Sequence, residues 1–308
     1  MEYLPWHEKQ WAGLERAWRR HRLPHALLVE GPGGLGKSLF ALRIAALVLG
    51  AGKLDPEAGQ SHPDLSLVTV PPDKKQISVN QIRDLCAGLS MTSHGAGYKV
   101  AIIDPAERMN IPAANSLLKT LEEPTPDTVL ILVRSRLDTL PPTVASRCQK
   151  IRFATPPEGE ALDWLESREP GKDWSALLRV SSGAPLAALR AASEGDDELD
   201  RRLAEDLVEI AAGRRDPVKV AAEWARLDPS KTVAWLNGTV VGLIRERGSG
   251  HDESLKGLQN LNQVLPLEQL FRYLDEVQAA LRRLDGALNL QMTLESLLIP
   301  WASQLRDI

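Results

Sequence analysis

Gly31-Pro32-Gly33-Gly34-Leu35-Gly36-Lys37-Ser38 fits the pattern G-x-x-x-x-G-K-[ST] in full. That spacing suits one chemistry, the cradling of a polyphosphate. Glycines let the backbone turn tightly and aim its N–H groups at phosphate oxygens, and the helix that follows adds its positive N-terminal end. In such a loop Lys37 reaches the terminal phosphates of ATP or ADP and the Ser38 hydroxyl sits on Mg²⁺. Hydrolysis also needs acids at the end of a nearby strand. The candidate segment is Val100-Ala101-Ile102-Ile103-Asp104-Pro105-Ala106-Glu107. Asp104 supplies one acid, and Pro105 stands where a second is expected. The phosphate loop is complete and the hydrolysis site is not. Two readings stay open: a nucleotide site without turnover, or a scaffold turn that binds nothing.

Other reactive side chains give weaker signals. Glu107 is a substitute for the missing base in kind, but it lies three residues beyond Asp104, on a different bearing. Glu122 and Glu123 form a carboxylate pair at a helix end before Pro124, where structural contacts outweigh acid–base work. Arg147, taken alone, reads as a surface arginine before an edge strand. Cys86 and Cys148 are the two cysteines, 62 residues apart, which is neither a disulfide framework nor a zinc ligand set. No His/Asp partner pattern surrounds Cys148, so it reads as a small buried residue. Arg19, Arg20 and Arg22 form a short basic run, read as a solvated helix end rather than a nucleic-acid contact.

The elements that must position these residues follow from periodicity. His25 to Glu30 reads as a short buried strand before the loop, and Lys37 to about Leu49 as an apolar helix after it. Asp64 to Val70, Lys99 to Asp104, Thr128 to Val133 and Gln149 to Phe153 read as further strands rich in Val, Ile or Leu. Ser78 is a plausible N-cap for a helix carrying Ile82, Leu85 and Leu89. Pro112 opens another helix with Ala114, Leu117, Leu118 and Leu121 on one face, and Thr139 to Ala145 reads as a short helix before Ser146. Strands alternating with helices predict a parallel sheet covered on both faces.

After Thr155-Pro156-Pro157 the strand signal stops. Glu158 to about Glu194 reads as short helices broken by Gly183-Ala184-Pro185, and a polar break follows at 193–198. From there the pattern is helical, with Val220, Trp224 and Leu227 on one face. Leu267, Leu270, Phe271, Leu274, Val277 and Leu281 mark the next face, and Leu294, Leu297, Leu298, Trp301 and Leu305 the last. Such stripes read as bundle core. The expected domains are a phosphate-loop α/β domain at 1–155, a helical lid at 156–200 and an α-helical collar at 201–308. With 43% apolar and 25% charged residues in 308, the composition is that of a soluble globular chain long enough for two or three domains. A net charge of −4 makes the whole chain no electrostatic trap for nucleic acid, so any DNA contact must be local or shared. No stretch approaches the ~20 apolar residues of a membrane span, and Met1 to Trp6 lacks a signal-peptide core. A cytoplasmic protein without membrane contact is expected.

Four stretches together resemble one family, the AAA+ clamp-loader subunits of bacterial DNA polymerase III. They are Pro5-Trp6 with Leu23-Pro24-His25-Ala26-Leu27-Leu28, the phosphate loop, Asn115-Ser116-Leu117-Leu118-Lys119-Thr120-Leu121-Glu122-Glu123-Pro124, and Ser146-Arg147-Cys148. The third is similar to the family's A-N-x-L-L-K-x-L-E-E-P helix and the fourth is its S-R-C motif. The match covers about the first 155 residues. The resemblance implies an AAA+ fold: a parallel α/β sheet domain, a small lid and an all-α bundle. It implies tau/gamma and delta clamp-loader subunits as partners, with the sliding clamp and primer-template DNA reached through the complex. It also implies a role for Arg147 as an arginine finger pointing at a neighbour's ATP.

Two departures narrow the resemblance to the family's non-hydrolysing type of subunit. Active members carry D-E-x-H where this chain has Asp104-Pro105-Ala106-Glu107, and a G-x-x-R turn where it has Gly183-Ala184-Pro185-Leu186. Many members also carry a four-cysteine zinc module, but 50–63 holds no cysteine here, so no zinc is expected. The resemblance thus leaves Gly31, Gly33, Gly34, Gly36, Lys37, Ser38 and Asp104 as nucleotide-binding candidates and Arg147 as the catalytic one. Alternatives are an active AAA+ motor subunit or remodeller, which Pro105 and Leu186 oppose, and a small-molecule kinase, which the helical C-terminal third and the S-R-C motif oppose.

Overall fold

Ala26–Glu30 forms β1, with all five residues buried. A continuous apolar run buried on both faces belongs at the centre of a parallel sheet. The computed structural model describes residues 4–55, 61–93, 97–135, 140–193, 196–249, 265–283 and 289–303. It places β1 fourth in a five-stranded sheet with β2 (Leu65–Val68), β3 (Lys99–Ile103), β4 (Thr128–Arg134) and β5 (Gln149–Arg152). The order is β2-β3-β4-β1-β5 and every pairing is parallel. β4, beside β1, is buried throughout, whereas the edge strands β2 and β5 are largely half-exposed or exposed.

The helices of this unit are α1 (Glu8–Arg19), α2 (Lys37–Val48), α3 (Val79–Ser90), α4 (Ile111–Glu122) and the single turn α5 (Pro142–Ala145). Ser78 caps α3 through a full capping box with Gln81, and Asn110 caps α4 by accepting from the Ala113 N–H at 2.9 Å. Ile82, Leu85, Leu89, Ala113, Ala114, Leu117 and Leu121 meet in one core beneath the sheet. β2 is shorter than the expected 64–70, because the sheet pairing ends at Val68 and Pro71 and Pro72 cannot donate to a ladder. The helix before Ser146 begins at Pro142, and Thr139 lies outside the described residues.

Residues divide into two compact units, Met1–Thr155 and Pro156–Ile308. Among the described residues the elements of the second are all helices: α6 (Glu158–Arg168), α7 (Trp174–Val180), α8 (Pro185–Ser193), α9 (Asp196–Ala211), α10 (Pro217–Trp224), α11 (Pro229–Ser249), α12 (Leu267–Arg283) and α13 (Leu290–Ala302). Its core holds Leu203, Leu207, Val220, Trp224, Leu270, Tyr273, Val277, Leu294, Leu298 and Trp301. Buried aromatic polar atoms all find acceptors: Trp224 Nε1 donates to Asp206, Trp301 Nε1 to the Leu207 carbonyl and the Tyr273 hydroxyl to the Leu297 carbonyl. Phe271 departs from the expected stripe and is 49% exposed. It sits one residue, about 100° of helix rotation, from buried Leu270, and the inward face of α12 runs through Leu270, Tyr273 and Val277. Leu305 lies outside the described residues. Among the described residues no helix is long and apolar enough to cross a membrane.

Two features fix the loop between β1 and α2. Gly31 has φ +149°, and a Cβ on it would lie 2.3 Å from the Phe153 carbonyl oxygen. The next contact is a two-pronged clamp on the middle of the loop. Trp6 Nε1 donates to the Leu35 carbonyl at 2.9 Å and His7 Nε2 meets the same oxygen at 2.7 Å. His7 is buried against the rings of Phe40 and Phe153. Burial lowers its pKa from 6.5 to about 4; the Leu35 hydrogen bond opposes that shift and Arg43 adds to it. At neutral pH the ring is uncharged, so Nε2 carries the proton and donates.

Both features lead to measurable outcomes. Gly31→Ala is expected to destabilise the chain by at least about 2 kcal/mol. Gly33→Ala, in the same loop but with open space around its Cβ, should shift stability by no more than about 0.5 kcal/mol. Urea midpoints of the two variants make the comparison, and equal midpoints would refute the Phe153 contact. For His7, the unfolded chain holds a proton between pH 6.5 and 4 that the folded chain does not. Stability is therefore full above pH 6.5, falls as pH drops from 6.5 towards about 4 and levels off below that, a loss of roughly 3 kcal/mol in all. His7→Phe should flatten the urea-stability curve across that window; parallel curves for the two proteins would contradict a buried neutral His7.

Candidate nucleotide site and a surface arginine

The phosphate loop leaves the carboxyl end of β1, where open α/β sheets bind their ligands. Gly34 has φ +72° and Gly36 φ +79°, the left-handed region in which glycine is unstrained. Gly36 is also the N-cap of α2, and no side chain caps that helix end. The first N–H groups of α2 thus face the loop, as an anion site requires. Gly33 has no positive φ, and Gly31 serves the approach of Phe153.

Lys37 is 4% exposed, and its ammonium donates to the Pro32 carbonyl within the same loop. Burial pulls its pKa below the usual lysine range, while the charges of Glu107 and Asp104 pull it back up. Ser38 hydrogen-bonds the Asp104 carboxylate. Burial raises the pKa of Asp104, the Ser38 bond and Lys37 oppose the rise, and Glu107 adds to it. One cation, one hydroxyl and two carboxylates therefore share one site. A hydroxyl bonded to a carboxylate beside a phosphate loop is the donor set that a Mg²⁺-bound polyphosphate needs. The residues present fit such a group.

Glu107 is closer to this site than its spacing suggests. A 3-10 turn, Ala106–Arg108, curls the chain back, so Glu107 acts electrostatically on both Lys37 and Asp104. Its Oε1 accepts the Ser135 N–H at 2.9 Å, which ties it to the segment after β4. Pro105 follows Asp104 through a cis peptide bond.

Arg147 lies elsewhere, after α5. Its Nε donates to Glu122 Oε1 at 2.8 Å and its Nη1 to the Thr143 carbonyl at 2.8 Å. The side chain is 36% exposed, and Glu122 51%. Glu122 thus makes a structural contact, as its place at the end of α4 predicts. Cys148 is buried, donates to the Val144 carbonyl and has its pKa pushed up to about 11, mainly by burial. That is an inert thiol at neutral pH. Arg19 pairs with Glu15 at 3.0 Å across one turn at the end of α1. Leu186 is the second residue of α8. His62 Nδ1 accepts the Asp64 N–H at 3.1 Å. Among the described residues no group of three or more His, Cys, Asp or Glu side chains could hold a metal ion.

Sequence reasoning missed three arrangements. Trp6 and His7 clamp Leu35, and a tryptophan–histidine pair ahead of a helix carries no recognisable pattern. Glu30 is buried between Arg134 and Arg152; a charged residue ending a buried strand was the available signal. Glu122 pairs with Arg147 across 25 residues, for which spacing gives no rule.

A family model described as DNA polymerase III, delta subunit, matches residues 6–157, and one described as DNA polymerase III, delta subunit, C terminal, matches 197–303. The DNA polymerase III subunit delta' of Pseudomonas aeruginosa is 31% identical over 98% of this chain and 98% of its own length. The subunit delta' of Haemophilus influenzae is 34% identical over 56% of each chain. That of Escherichia coli is 31% identical over 64% of this chain and 63% of its own. With two family models spanning both units and a relative matched from end to end, the chain belongs to the delta prime family of DNA polymerase III, non-catalytic subunits of its clamp loader.

Proposed function

We propose that this chain is a stator that leaves its own phosphate loop idle and supplies Arg147 in trans to the ATP of a neighbouring tau or gamma subunit. The observation that carries the reading is the contrast between two sites. Beside the loop, Pro105 occupies the place of the second acid. At the surface, the Arg147 side chain is 36% exposed and its guanidinium is held by Glu122. Phosphoryl transfer depends on charge stabilisation at the transition state, and a donated arginine lowers that barrier by several kcal/mol. Delta is the other expected subunit partner, with the sliding clamp and primer-template DNA met through the complex. The domain plan in this reading is a lid at 156–200, built on the short helices α6 to α8, and a collar at 201–308, built on α10 to α13 and most of α9, which spans the boundary.

ATP or ADP with Mg²⁺ would be held by the loop N–H groups between Gly31 and Gly36, by Lys37 after it leaves the Pro32 carbonyl, and by Ser38 with Asp104 near the metal. Bound there, the nucleotide supplies negative charge that matches Lys37 and the open end of α2. Leu186 in place of an arginine and Pro105 in place of an acid remove two of the groups that drive turnover in active members of the family.

The purified chain should show negligible steady-state ATP hydrolysis. Turnover that Lys37→Ala abolishes would mark a motor and overturn the stator reading. In the reassembled clamp loader, Arg147→Ala should leave assembly intact and lower DNA-stimulated hydrolysis. A finger is worth roughly 10³-fold or more at the one site it serves, so the total rate should fall by at least that site's share. Lys37→Ala should do much less. A silent Arg147→Ala beside a crippling Lys37→Ala would reverse the assignment.

A further inference from the structure

Glu122 is the last residue of α4, and a carboxylate there opposes the negative end of the helix dipole. It does nothing for the helix that carries it. Its Oε1 instead receives Arg147 Nε at 2.8 Å, with Nη2 of the same guanidinium 2.5 Å away. The Thr143 carbonyl takes Nη1 from the other side at 2.8 Å. Thr143 lies in α5, one turn before Arg147, so a helix end and a helix start grip one head group from two directions. An arginine has five N–H donors in a rigid plane. These contacts engage one on each nitrogen and leave two, one on each Nη, for an anion. The paired donors suit a bidentate phosphate contact. Both partners are exposed, and an exposed ion pair contributes at most about 1 kcal/mol to folding. A pair of so little structural worth, with the guanidinium gripped on two sides, fixes the aim of a side chain more than it stabilises a fold.

We infer that Glu122 is a positioning residue, which holds the Arg147 guanidinium so that its remaining N–H donors face a phosphate on a neighbouring subunit. The inference rests on the reading of Arg147 as a donated arginine. Free arginine samples many rotamers, and a held one gives up that freedom before the phosphate arrives. The contribution of Glu122 should therefore appear in the rate of the chemical step and not in nucleotide affinity.

The test uses the reassembled clamp loader, with ATP as substrate and primed DNA present, and compares Glu122→Ala, Glu122→Gln, Arg147→Ala and the Glu122→Ala/Arg147→Ala double variant. Thermal unfolding of each purified chain checks that folding is intact. Glu122→Ala should lower kcat by a few-fold, to between wild type and Arg147→Ala, with KM unchanged. Glu122→Gln keeps an acceptor oxygen and should recover part of the loss. The double variant should be no slower than Arg147→Ala alone. If Arg147→Ala slows hydrolysis while Glu122→Ala matches wild type, the positioning role is wrong and the donated arginine stands. If Glu122→Ala speeds hydrolysis, the pair restrains the arginine and the inference is overturned. Additive losses in the double variant would give Glu122 a separate role and overturn it as well. A silent Arg147→Ala would remove the reading beneath it.

Discussion

Glu30 is the constraint on which the sheet-containing unit of this molecule depends. It ends β1, is 2% exposed, and stands directly before the phosphate loop. Its carboxylate receives Arg134 from the end of β4 and Arg152 from the end of β5. These are the two strands paired with β1, in register at Glu30 itself. Burial alone would push its pKa up; the hydrogen bonds from Arg152 and Arg134 outweigh burial and hold the carboxyl below its ordinary value. A buried carboxylate left without such partners is strongly destabilising, by about 3–5 kcal/mol. The three strand ends are consequently bound to one charge. One leads into the phosphate loop, one toward α5 and Arg147, and the third to Phe153, which packs on Gly31. The start of the phosphate loop and the ends of its two flanking strands are held by the same ion cluster.

The fold was legible because each of its main elements has a local cause. Parallel strands buried on both faces read as short apolar runs, and α3 announced itself through its N-cap Ser78. The phosphate loop is a contiguous pattern whose chemistry is carried by residue type. What could not be read was long-range. Leu35 is clamped by Trp6 and His7 from 29 and 28 residues away, and Glu30 meets Arg134 from 104. Phe271 shows the limit of periodicity itself. It falls at the edge of an apolar stripe, and the stripe alone does not say where burial stops. Glu107 shows the limit of spacing, because a 3-10 turn returned it to the site that straight counting placed out of reach.

The helical unit makes the same point through its core. Asp206 is 4% exposed and accepts from Trp224 Nε1 at 2.8 Å while Arg215 pairs with it. Arg215 also reaches Glu223 at 2.8 Å. A buried aspartate of this kind is tolerated only with every lone pair directed at a donor. Asp206 lies on α9 and Glu223 on α10, and Arg215 sits in the turn between them, so the cluster fixes how one helix follows the other. Periodicity marks Trp224 as core, but the indole N–H it brings with it required an acceptor that only the folded chain identifies.

These contacts bear on why a complete phosphate loop stands beside an incomplete hydrolysis site. Gly31 is needed because Phe153 approaches it, whatever the loop binds. The Leu35 carbonyl takes two buried side-chain donors, and Lys37 satisfies itself on the Pro32 carbonyl. Leu35 is fully buried, so the middle of the loop is part of the core of its unit. Substitutions at Gly31 and Leu35 would therefore disturb the core of the unit, whatever the loop binds. Asp104 and Pro105 face a different constraint. Nothing in the core depends on a second carboxylate after Asp104, so its absence leaves the fold whole. The loop and the hydrolysis acids are separable in energy, so a chain can retain the first without the second.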